Sequence, residues 1–562
     1  MAVIKIDQFR GMSERVNPKK LPDGMSTFAQ NTDFTHGTLH GIDTNVNESG
    51  ATPDFGSYSG NAETLFITKS GKKIVFNDVV DIVESPIPDD SHERIYFTGN
   101  ANNPPQIASA QGLQGASPSL NMYEINIPRP PAPTVNLSPT TTANAETENP
   151  VSTAYLATYV TAFGEEGPPS LVTPSDILDI FTDQTVSVTV GAATGTRNYA
   201  YIRIYRTDAN GTFRFLHQVN HTGNTGSAFV DNVKDSSLGE EVPTTDHIGP
   251  DADMIGLTAM PNGITAGFFD QTLCFSEPYL PHAWPESHRL TTAYDIVGLA
   301  RMDTGLLVLT KGKPYMVQGS DPSGLVMTEL DIAQSCIQKR SIVDMGSSVM
   351  YASPDGLVSV SPSGARVLTE AMFTKKQWND LPISSLRSVR HEDVYVGFAY
   401  FTDGSGREGF IFDPRGGMDA FNYIDISNTY VVAAFNHLEE DETHVVFASG
   451  IKSKFGAGPS GRQFKWYSKH FFSPRPINFG VMQVEFGTQF TSNMATQITL
   501  KGGLDSPTDT IKAFTFSESD GKDITQTLRL PSGTKHHTFS IQVEGSTEIV
   551  SITLAEAMSE LL

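Results

Sequence analysis

The sequence is poor in cysteine. Its 562 residues contain two, Cys274 and Cys336, which excludes a small scaffold held together by several disulfides. No cysteine spacing in the chain matches a metal site. We expect two buried free thiols, because free cysteine is among the most buried residue types. The sequence by itself does not show whether Cys274 and Cys336 form a disulfide.

Basic residues are also scarce relative to acidic ones. The chain has 39 Lys and Arg against 63 Asp and Glu, and its formal net charge is −24 at pH 7. Proteins that hold nucleic acid do so mainly with Lys and Arg side chains that displace counterions. The charge therefore argues against a protein that grips DNA. It is compatible with DNA as cargo, since an acidic surface repels phosphates instead of holding them.

Long apolar runs are missing as well. No stretch approaches the roughly 18 apolar residues of a membrane-spanning helix. The opening residues "MAVIKIDQFRG" lack the charged start and the following apolar stretch of a signal peptide. We therefore expect a protein that has no membrane span and is made in a cytoplasm.

Short strand patterns fill most of the chain. "ETLFITKSGKKIVF" (63–76) predicts a hairpin around Ser70-Gly71, and "YAYIRIYRTDANGTFRFLHQV" (199–219) predicts another around Asn210-Gly211. Helix patterns are scarce, and the best short candidates are 370–378 and 555–562. The sequence therefore predicts an all-β protein, and its length predicts two to four domains.

The order of these patterns predicts four regions. Residues 1–137 supply N-terminal strands to a β-propeller, 138–243 form an inserted fibronectin type III-like β-sandwich with its linker, 244–463 form the β-propeller, and 464–562 form a C-terminal β-sandwich-like domain. A long series of strands of five to seven residues favours radially repeated sheets over one sandwich. The proline-rich stretch 127–135 predicts a stiff spacer, and 138–149 predicts its continuation as a linker.

Two glycine-rich stretches match the Gly-x-Gly-x-x-Gly pattern of dinucleotide-binding sites in sequence only. They are "GSGREG" (404–409) and "GAGPSG" (456–461). In a dinucleotide site this pattern follows a strand and opens a helix that meets the pyrophosphate. Neither stretch is followed by a helix pattern, so both are predicted to be turns. "SPDGLVSV" (353–360) is likewise predicted to contain a β-turn.

Histidine spacing also gives no clear metal site. His36 and His40 have the spacing of two ligands on a zinc-binding helix, but Gly37 and the neighbouring turn residues argue against a helix. We expect two isolated polar histidines at this point of the chain.

Adjacent carboxylates offer no recognisable catalytic pair. Glu165-Glu166 and Asp89-Asp90 lie in predicted turns and are interpreted as solvated charge. No nucleophile elbow or phosphate-binding loop is present. The sequence therefore predicts a protein that is not an enzyme, with no catalytic, cofactor-binding or metal residues and no cofactor.

The opening stretch (9–42) carries a resemblance to a known family. "FRGMSERVNPKKLPDGMSTFAQNTDFTHGTLHGI" resembles the N-terminal signature of tail nozzle and head-closure proteins of short-tailed bacteriophages, also described as packaged-DNA stabilisation proteins. Further stretches similar to this family extend the resemblance over nearly the whole chain: "ERIYFTGNANNPPQI" (93–107), "GLTAMPNGITAGFFDQTLCFSEPYLPHAWP" (256–285), "YDIVGLARMDTGLLVLTKGKPYMVQG" (294–319) and "WYSKHFFSPRPINFGVMQVEFG" (466–487).

The resemblance implies a structural virion protein of the phage tail. It implies a β-propeller platform that assembles into a ring, usually of six copies, below the portal and adaptor rings. Such a ring retains packaged DNA and conducts it during ejection, so DNA is channel cargo and not a sequence-specific ligand. The implied partners are the adaptor or head–tail connector protein and tail fibres or spikes. The implied location is the virion tail, after synthesis in the host cytoplasm.

Two other functions compete with this one. The first is an extracellular carbohydrate-binding or glycosidase β-propeller with an accessory β-sandwich. The absence of a signal peptide and of repeated Asp-box turns counts against it. The second is a receptor-binding or fibre-like tail protein, which would show repetitive, elongated β segments.

Overall fold

The structure of the protein is a computed structural model. It describes residues 2–561 except 49, 114–118, 194, 196, 222–226, 405, 418–419, 427–429, 489–493 and 518–523. The chain divides into two compact units: Met1–Asn77, Leu309–Pro314 and Glu329–Leu562 form the first, and Asp78–Val308 and Tyr315–Thr328 form the second. Most regular structure in the described residues is β-strand, so the all-β prediction is confirmed.

The N-terminal part of the first unit contributes seven short strands. They are β1 (Val3–Ile6), β2 (Ser26–Gln30), β3 (Thr32–Asp33), β4 (His40–Gly41), β5 (Val46–Asn47), β6 (Thr64–Ile67) and β7 (Lys73–Phe76). β3 pairs with β4, and β6 pairs antiparallel with β7. The β6–β7 pair confirms the hairpin predicted at 63–76.

The second unit begins with a four-stranded antiparallel sheet. Its strands are β8 (Asp81–Glu84), β9 (Arg94–Thr98), β10 (Gln106–Ser109) and β11 (Met122–Glu124), each hydrogen-bonded to the next along the chain. β9 is buried along its whole length and carries Arg94, a charged residue inside an apolar strand.

A group of eight strands follows in the same unit. They are β12 (Thr134–Ser138), β13 (Val151–Thr153), β14 (Tyr155–Thr161), β15 (Leu178–Ile180), β16 (Thr185–Val190), β17 (Tyr199–Thr207), β18 (Phe213–Asn220) and β19 (Ser227–Asp231). Two three-stranded sheets, β12-β16-β19 and β14-β17-β18, share one hydrophobic cluster, and β13 pairs with β15. The β17–β18 pair confirms the hairpin predicted at 199–219.

The predicted spacer (127–135) and linker (138–149) are wrong at their adjoining ends. Thr134–Ser138 is strand β12 and pairs with β16 in register from end to end. Val135 and Leu137 alternate toward the shared hydrophobic cluster, and this burial holds the segment as a strand in spite of the prolines before it. The predicted boundary at residue 138 therefore falls on the last residue of a strand.

Two further four-stranded antiparallel sheets follow, and their strands belong to the second unit except for Leu309, Thr310 and Glu329. The first comprises β20 (Ile255–Ala259), β21 (Thr265–Phe269), β22 (Thr272–Phe275) and β23 (Arg289–Thr291). The other comprises β24 (Ile296–Met302), β25 (Gly305–Thr310), β26 (Tyr315–Gln318) and β27 (Val326–Glu329). In both, each strand pairs with its neighbour along the chain, the arrangement of a propeller blade.

The first unit contains the same arrangement again. β28 (Val343–Asp344), β29 (Val349–Ser353), β30 (Gly356–Ser361) and β31 (Gly364–Val367) form one four-stranded sheet. After helix α1 (Lys375–Asn379), β32 (Arg387–His391), β33 (Val394–Phe398), β34 (Gly409–Phe412) and β35 (Phe421–Ile424) follow in sequence-neighbour order. β36 (Val431–His437), β37 (Glu442–Phe447) and β38 (Lys452–Lys454) form a sheet whose fourth strand is the N-terminal β5.

The C-terminal strands of the first unit are longer. They are β39 (Phe464–Ser468), β40 (Phe471–Ile477), β41 (Val481–Phe486), β42 (Ala495–Gly503), β43 (Asp509–Ser517), β44 (Thr525–Arg529), β45 (His536–Gly545) and β46 (Ile549–Ala555). One sheet has the order β1-β46-β41-β44, and a larger sheet joins β32–β35 through β2 to β39, β45, β42 and β43.

Helix is scarce among the described residues, as predicted. The candidate at 370–378 overlaps α1, and the candidate at 555–562 contains one 3-10 turn. The 3-10 turns are Pro18–Lys20, Ala110–Leu113, Pro174–Asp176, Asp235–Ser237, Pro261–Gly263, Glu286–His288, Pro322–Gly324, Lys339–Ser341, Thr369–Ala371, Ile383–Ser385 and Met558–Glu560.

The first strands of the chain pair with its last ones. β1 runs antiparallel to β46, and β2 runs antiparallel to β39. The prediction that residues 1–137 supply strands to the β-propeller is therefore wrong for β1, which lies in a C-terminal sheet. The physical reason is burial, because Ile6 and Phe9 enter the same hydrophobic cluster as the C-terminal strands.

Phe9 is the aromatic anchor of this arrangement. It is fully buried, and its ring meets the ring of Trp466 edge-on with centroids 5.1 Å apart. The indole Nε1 of Trp466 donates a hydrogen bond to the carbonyl oxygen of Arg10 at 3.1 Å. These contacts tie the N-terminal segment to β39.

We predict that Phe9→Ala lowers the free energy of unfolding by about 3–5 kcal/mol, because it removes a fully buried ring and leaves a cavity beside Trp466. Denaturant unfolding followed by tryptophan fluorescence measures the change. Phe472→Ala is the matched control, since this ring is 58% exposed; its expected loss is below about 1 kcal/mol. Equal losses in the two variants would contradict the assignment of Phe9 as an anchor.

Candidate functional site

Glu165 and Glu166 lie in the turn that follows β14, and the turn is buried. The relative exposure of the two residues is 3% and 7%. The backbone amide of Thr161 donates to the carbonyl oxygen of Glu165 at 2.9 Å, which closes the turn. The prediction that these two carboxylates are solvated is therefore wrong.

Glu165 is held by two arginines and a tyrosine. Its Oε2 accepts a hydrogen bond from Nη2 of Arg197 at 2.7 Å, and its Oε1 lies 3.3 Å from Nη1 of Arg94. The hydroxyl of Tyr96 donates to the same Oε1 at 3.2 Å. Burial lowers the pKa of Arg197, and the nearby Glu165 charge opposes that shift. Since Arg94 and Tyr96 belong to β9, the carboxylate joins the β14 turn to another sheet.

Asp90 extends this cluster on the other side of Arg94. Its Oδ2 accepts from Nε of Arg94 at 2.7 Å. Burial raises the pKa of Asp90, but the hydrogen bonds from Arg94 and from the backbone of His92 outweigh it, and the net shift is downward. The prediction of solvated charge is wrong for Asp90 and agrees with the structure for Asp89, which is exposed.

Glu166 connects two neighbouring strands of one sheet. The hydroxyls of Thr158 on β14 and Tyr205 on β17 each donate to its Oε1 at 2.6 Å. Nη1 of Arg203 on β17 binds the other carboxylate oxygen. Burial first, and then the hydrogen bond to Glu166, raise the pKa of Tyr205. The side chain therefore stays a hydrogen-bond donor.

The carboxylates of Glu165 and Glu166 have a structural role. Every oxygen of Glu165 and Glu166 is engaged by a donor of the protein, and both side chains are shielded from water. A general acid or base needs an oxygen or proton within reach of a substrate, and neither carboxylate has one free. We call the cluster of Asp90, Arg94, Glu165 and Arg197 the buried clasp.

The sequence contained one signal for the buried clasp. Arg94 lies inside the apolar strand pattern "RIYFT", where a long cation requires an acidic partner. That signal does not identify the partner, because Glu165 is 71 residues away in the chain.

His36 and His40 are not isolated. Their rings stack with centroids 6.2 Å apart, and Nε2 of His40 lies 3.1 Å from Oδ2 of Asp33. The hydrogen bond to Asp33 raises the pKa of His40. The expectation that this segment is not a helix is confirmed, since β4 begins at His40. The expectation of isolated histidines is wrong, because the β3–β4 register places Asp33 opposite His40.

The remaining sequence candidates are loops, as predicted. In the described residues, 404–409 connects β33 to β34, with Ser405 outside those residues, and 456–461 connects β38 to β39. The turn at 353–356 joins β29 to β30, and Asp355 accepts a hydrogen bond from Gln334 at 2.8 Å. Cys274 and Cys336 are buried free thiols, as expected.

The opening stretch 9–42 is built into the first unit. Asn31 adopts φ 56°, and its side chain donates to the carbonyl of Gln463 at 3.0 Å and accepts from the amide of Asp425 at 2.7 Å. Leu39 is fully buried and exchanges two backbone hydrogen bonds of 2.9 Å with Ile549. Asn31 and Leu39 therefore have a structural role in this chain.

Gly24 occupies a position in the opening stretch that requires glycine. Its φ is +80°, and a Cβ there would lie 2.3 Å from the carbonyl oxygen of Gln8. Only glycine fits both the conformation and the space. The amide of Arg10 donates to the carbonyl of Gly24 at 3.0 Å, so this turn holds the segment that follows β1.

Comparisons with known proteins give only remote structural likeness. No family model matches the chain, and no curated protein matches it. The Pan2 WD40 domain of Neurospora crassa is 7% identical with TM-score 0.28, covering 74% of this chain and 94% of that one. BBS1N, in complex with ARL6DN, is 11% identical with TM-score 0.27, covering 73% and 99%. Saccharomyces cerevisiae Sqt1 is 12% identical with TM-score 0.26, covering 71% and 99%.

The TM-scores are low, and the likeness says nothing about the function of this chain. Among the described residues, no helix is both long enough and apolar enough to cross a membrane.

We predict that Glu165→Gln destabilises the protein by about 3–5 kcal/mol, because it leaves the buried Arg197 and Arg94 without their shared charge partner. Thermal or denaturant unfolding measures the loss. Asp89→Asn removes one carboxylate charge at an exposed position and serves as the control, with an expected change within about 0.5 kcal/mol. A Glu165→Gln protein as stable as this control would show that the buried clasp contributes nothing.

His282 gives the same region a pH dependence. Burial holds its pKa at about 4, below the usual 6.5, and the Arg197 and Arg94 charges lie nearby. The unfolded chain takes up the proton near pH 6.5 while the folded chain stays neutral. Stability therefore falls as the pH drops from 6.5 toward 4, by up to about 3 kcal/mol.

His282→Asn is expected to remove this part of the pH dependence. The measurement is the free energy of unfolding of both proteins at several pH values between 4 and 7. His444 has a similarly lowered pKa, but it is present in both proteins and cancels in the difference. Parallel pH curves would contradict the assignment to His282.

Proposed function

We propose that the protein is a structural subunit of a bacteriophage tail, a nozzle that retains packaged DNA and conducts it during ejection. The observation that carries the proposal is the N-terminal signature. Its residues resemble the tail nozzle family, and Phe9, Gly24, Asn31 and Leu39 each have a specific structural contact in this chain. Signature residues that stabilise the fold, and not a reactive site, are what we expect in a structural protein.

We propose further that the four-stranded sheets are blades of a β-propeller. The sheets β8–β11, β20–β23, β24–β27, β28–β31 and β32–β35 each follow the chain strand by strand. In the sheet of β36, β37 and β38, the last position belongs to the N-terminal strand β5. A strand from the start of the chain that completes a late sheet is one way to close a ring of blades.

The eight strands from β12 to β19 support a separate β-sandwich between the first and second of these blades. Their two sheets share their own hydrophobic cluster, with Tyr155, Val188 and Ile202 at its centre. In the proposal this module is the inserted fibronectin type III-like domain. The C-terminal strands β39–β46 are the appended β-sandwich-like domain.

The net charge favours a protein through which DNA passes and not one that binds DNA tightly. A ring of six copies, each with charge −24, would carry on the order of −140 charges before counterions. Where these charges face a channel, they repel the phosphates, so the genome slides without adhering. The buried carboxylates of the clasp do not contribute, because arginines neutralise them.

We expect the purified full chain, mixed with an assembled portal and adaptor ring, to add a ring-shaped layer to that complex. Negative-stain electron microscopy shows the layer, and the portal and adaptor complex alone is the control. A protein that stays monomeric, ignores the adaptor ring and cleaves or binds glycans would overturn the proposal. It would favour the carbohydrate-active alternative instead.

A further inference from the structure

The tip of the β36–β37 hairpin gathers four side chains of metal-binding type. His437 ends β36, Glu442 begins β37, His444 follows two residues later, and Glu440 lies in the turn between the strands. Glu440, Glu442 and His444 each offer one ligand atom, and these atoms lie within 4.8 Å of one another.

The register of the hairpin explains why these groups meet. His437 pairs directly with Glu442, and Phe435 pairs with His444. Residues two apart in a strand point to the same face, and directly paired residues of an antiparallel pair share a face. His437, Glu442 and His444 therefore lie on one face of the hairpin, and Glu440 reaches it from the turn.

The distances are close to those that one bound ion would need. Nε2 of His444 lies 3.6 Å from Oε2 of Glu442, and Nδ1 of His437 lies 3.9 Å from Oε2 of Glu440. Two ligands about 2.1 Å from a tetrahedral Zn²⁺ are roughly 3.4 Å apart. Glu440, Glu442 and His444 lie close enough to share one ion, and His437 borders this group at Glu440.

Unpartnered buried atoms are the independent sign of a ligand. Nδ1 of His437, which faces Glu440, and Oε2 of Glu442, which faces His444, are buried and have no hydrogen-bond partner within the protein. The His437 and His444 side chains are only 8% and 3% exposed. Buried polar groups without partners are rare in folded proteins, and two that face the same small cluster point to a group that occupies the space between the side chains.

The local charges leave room for a cation. Nζ of Lys454 lies 2.6 Å from Oε1 of Glu442 and leaves Oε2 of the same carboxylate available. Lys452, the other nearby cation, is paired with Glu48.

We propose that His437, Glu440, Glu442 and His444 form a binding site for a divalent transition metal ion of the Zn²⁺ type. Two imidazoles and two carboxylates suit Zn²⁺ and its first-row neighbours better than Ca²⁺ or Mg²⁺, which prefer all-oxygen sites. The ion would pin the turn between β36 and β37. The sequence predicted no metal site, because the ligands follow no known spacing and meet only through the hairpin register.

The test is metal binding to the full chain after treatment with a chelator and its removal. We expect one equivalent of Zn²⁺ per chain by calorimetry, and visible d–d absorption when Co²⁺ replaces Zn²⁺. Glu442→Gln and His444→Gln are expected to weaken Zn²⁺ binding by at least about tenfold. Mutation of a residue that only hydrogen-bonds a metal ligand already lowers metal affinity by about that factor, and both residues are proposed ligands.

Two exposed positions on the same turn make the test independent of folding defects. Glu440→Gln alters a proposed ligand at a largely exposed position and is expected to weaken binding, whereas Glu439→Gln makes the same charge change beside the site and is expected to leave affinity within about twofold. A chain that binds no Zn²⁺, or loses binding equally in both variants, would overturn the proposal.

Discussion

The burial of the N-terminal segment against C-terminal strands is the interaction on which the first unit depends. Phe9 packs on Trp466, β1 pairs with β46, and Leu39 exchanges backbone hydrogen bonds with Ile549. Loss of this contact would leave an edge of β46 unpaired and a cavity in the largest hydrophobic cluster. Contacts between residues more than 450 positions apart also mean that the unit is complete only after the last strand has been made.

In the second unit, ion pairs and hydrogen bonds stabilise two buried carboxylates. Its β14 turn carries two adjacent glutamates into the protein interior, where an unpaired carboxylate would be very costly. Arg94 and Arg197 compensate Glu165, while Thr158, Tyr205 and Arg203 compensate Glu166. Such a network contributes little net stability compared with apolar packing, but the removal of one partner is strongly destabilising. It therefore ties the β14 turn to β9 and β17 in one arrangement.

The charged cluster around Glu165 and Glu166 and the hairpin tip at His437 and His444 have one feature in common. In each, ionisable side chains that are usually exposed to solvent are buried in the protein. The function that we propose, a subunit of a ring around passing DNA, would depend on such internal ties more than on accessible reactive groups. The excess of negative charge fits this proposal, because it disfavours adhesion of the cargo.

Local chemistry in the sequence was enough for the strand content, the hairpins at 63–76 and 199–219, the turn at 353–356 and the scarcity of helix. These features depend on alternation and on glycine-containing turns, which act over a few residues. The adjoining ends of the spacer (127–135) and the linker (138–149), the solvated Glu165 and the isolated His40 were predicted incorrectly, since each depends on a partner in another strand.

What the sequence by itself determined is therefore the β character of the chain, its acidity and the places where it turns. Only the tertiary structure decided that β1 joins β46, that Glu165 meets Arg197, and that His437 and His444 share one face of a hairpin. The physical reason is that strand pairing and charge compensation act across distance in the chain, and periodicity within a segment contains no information about the partner.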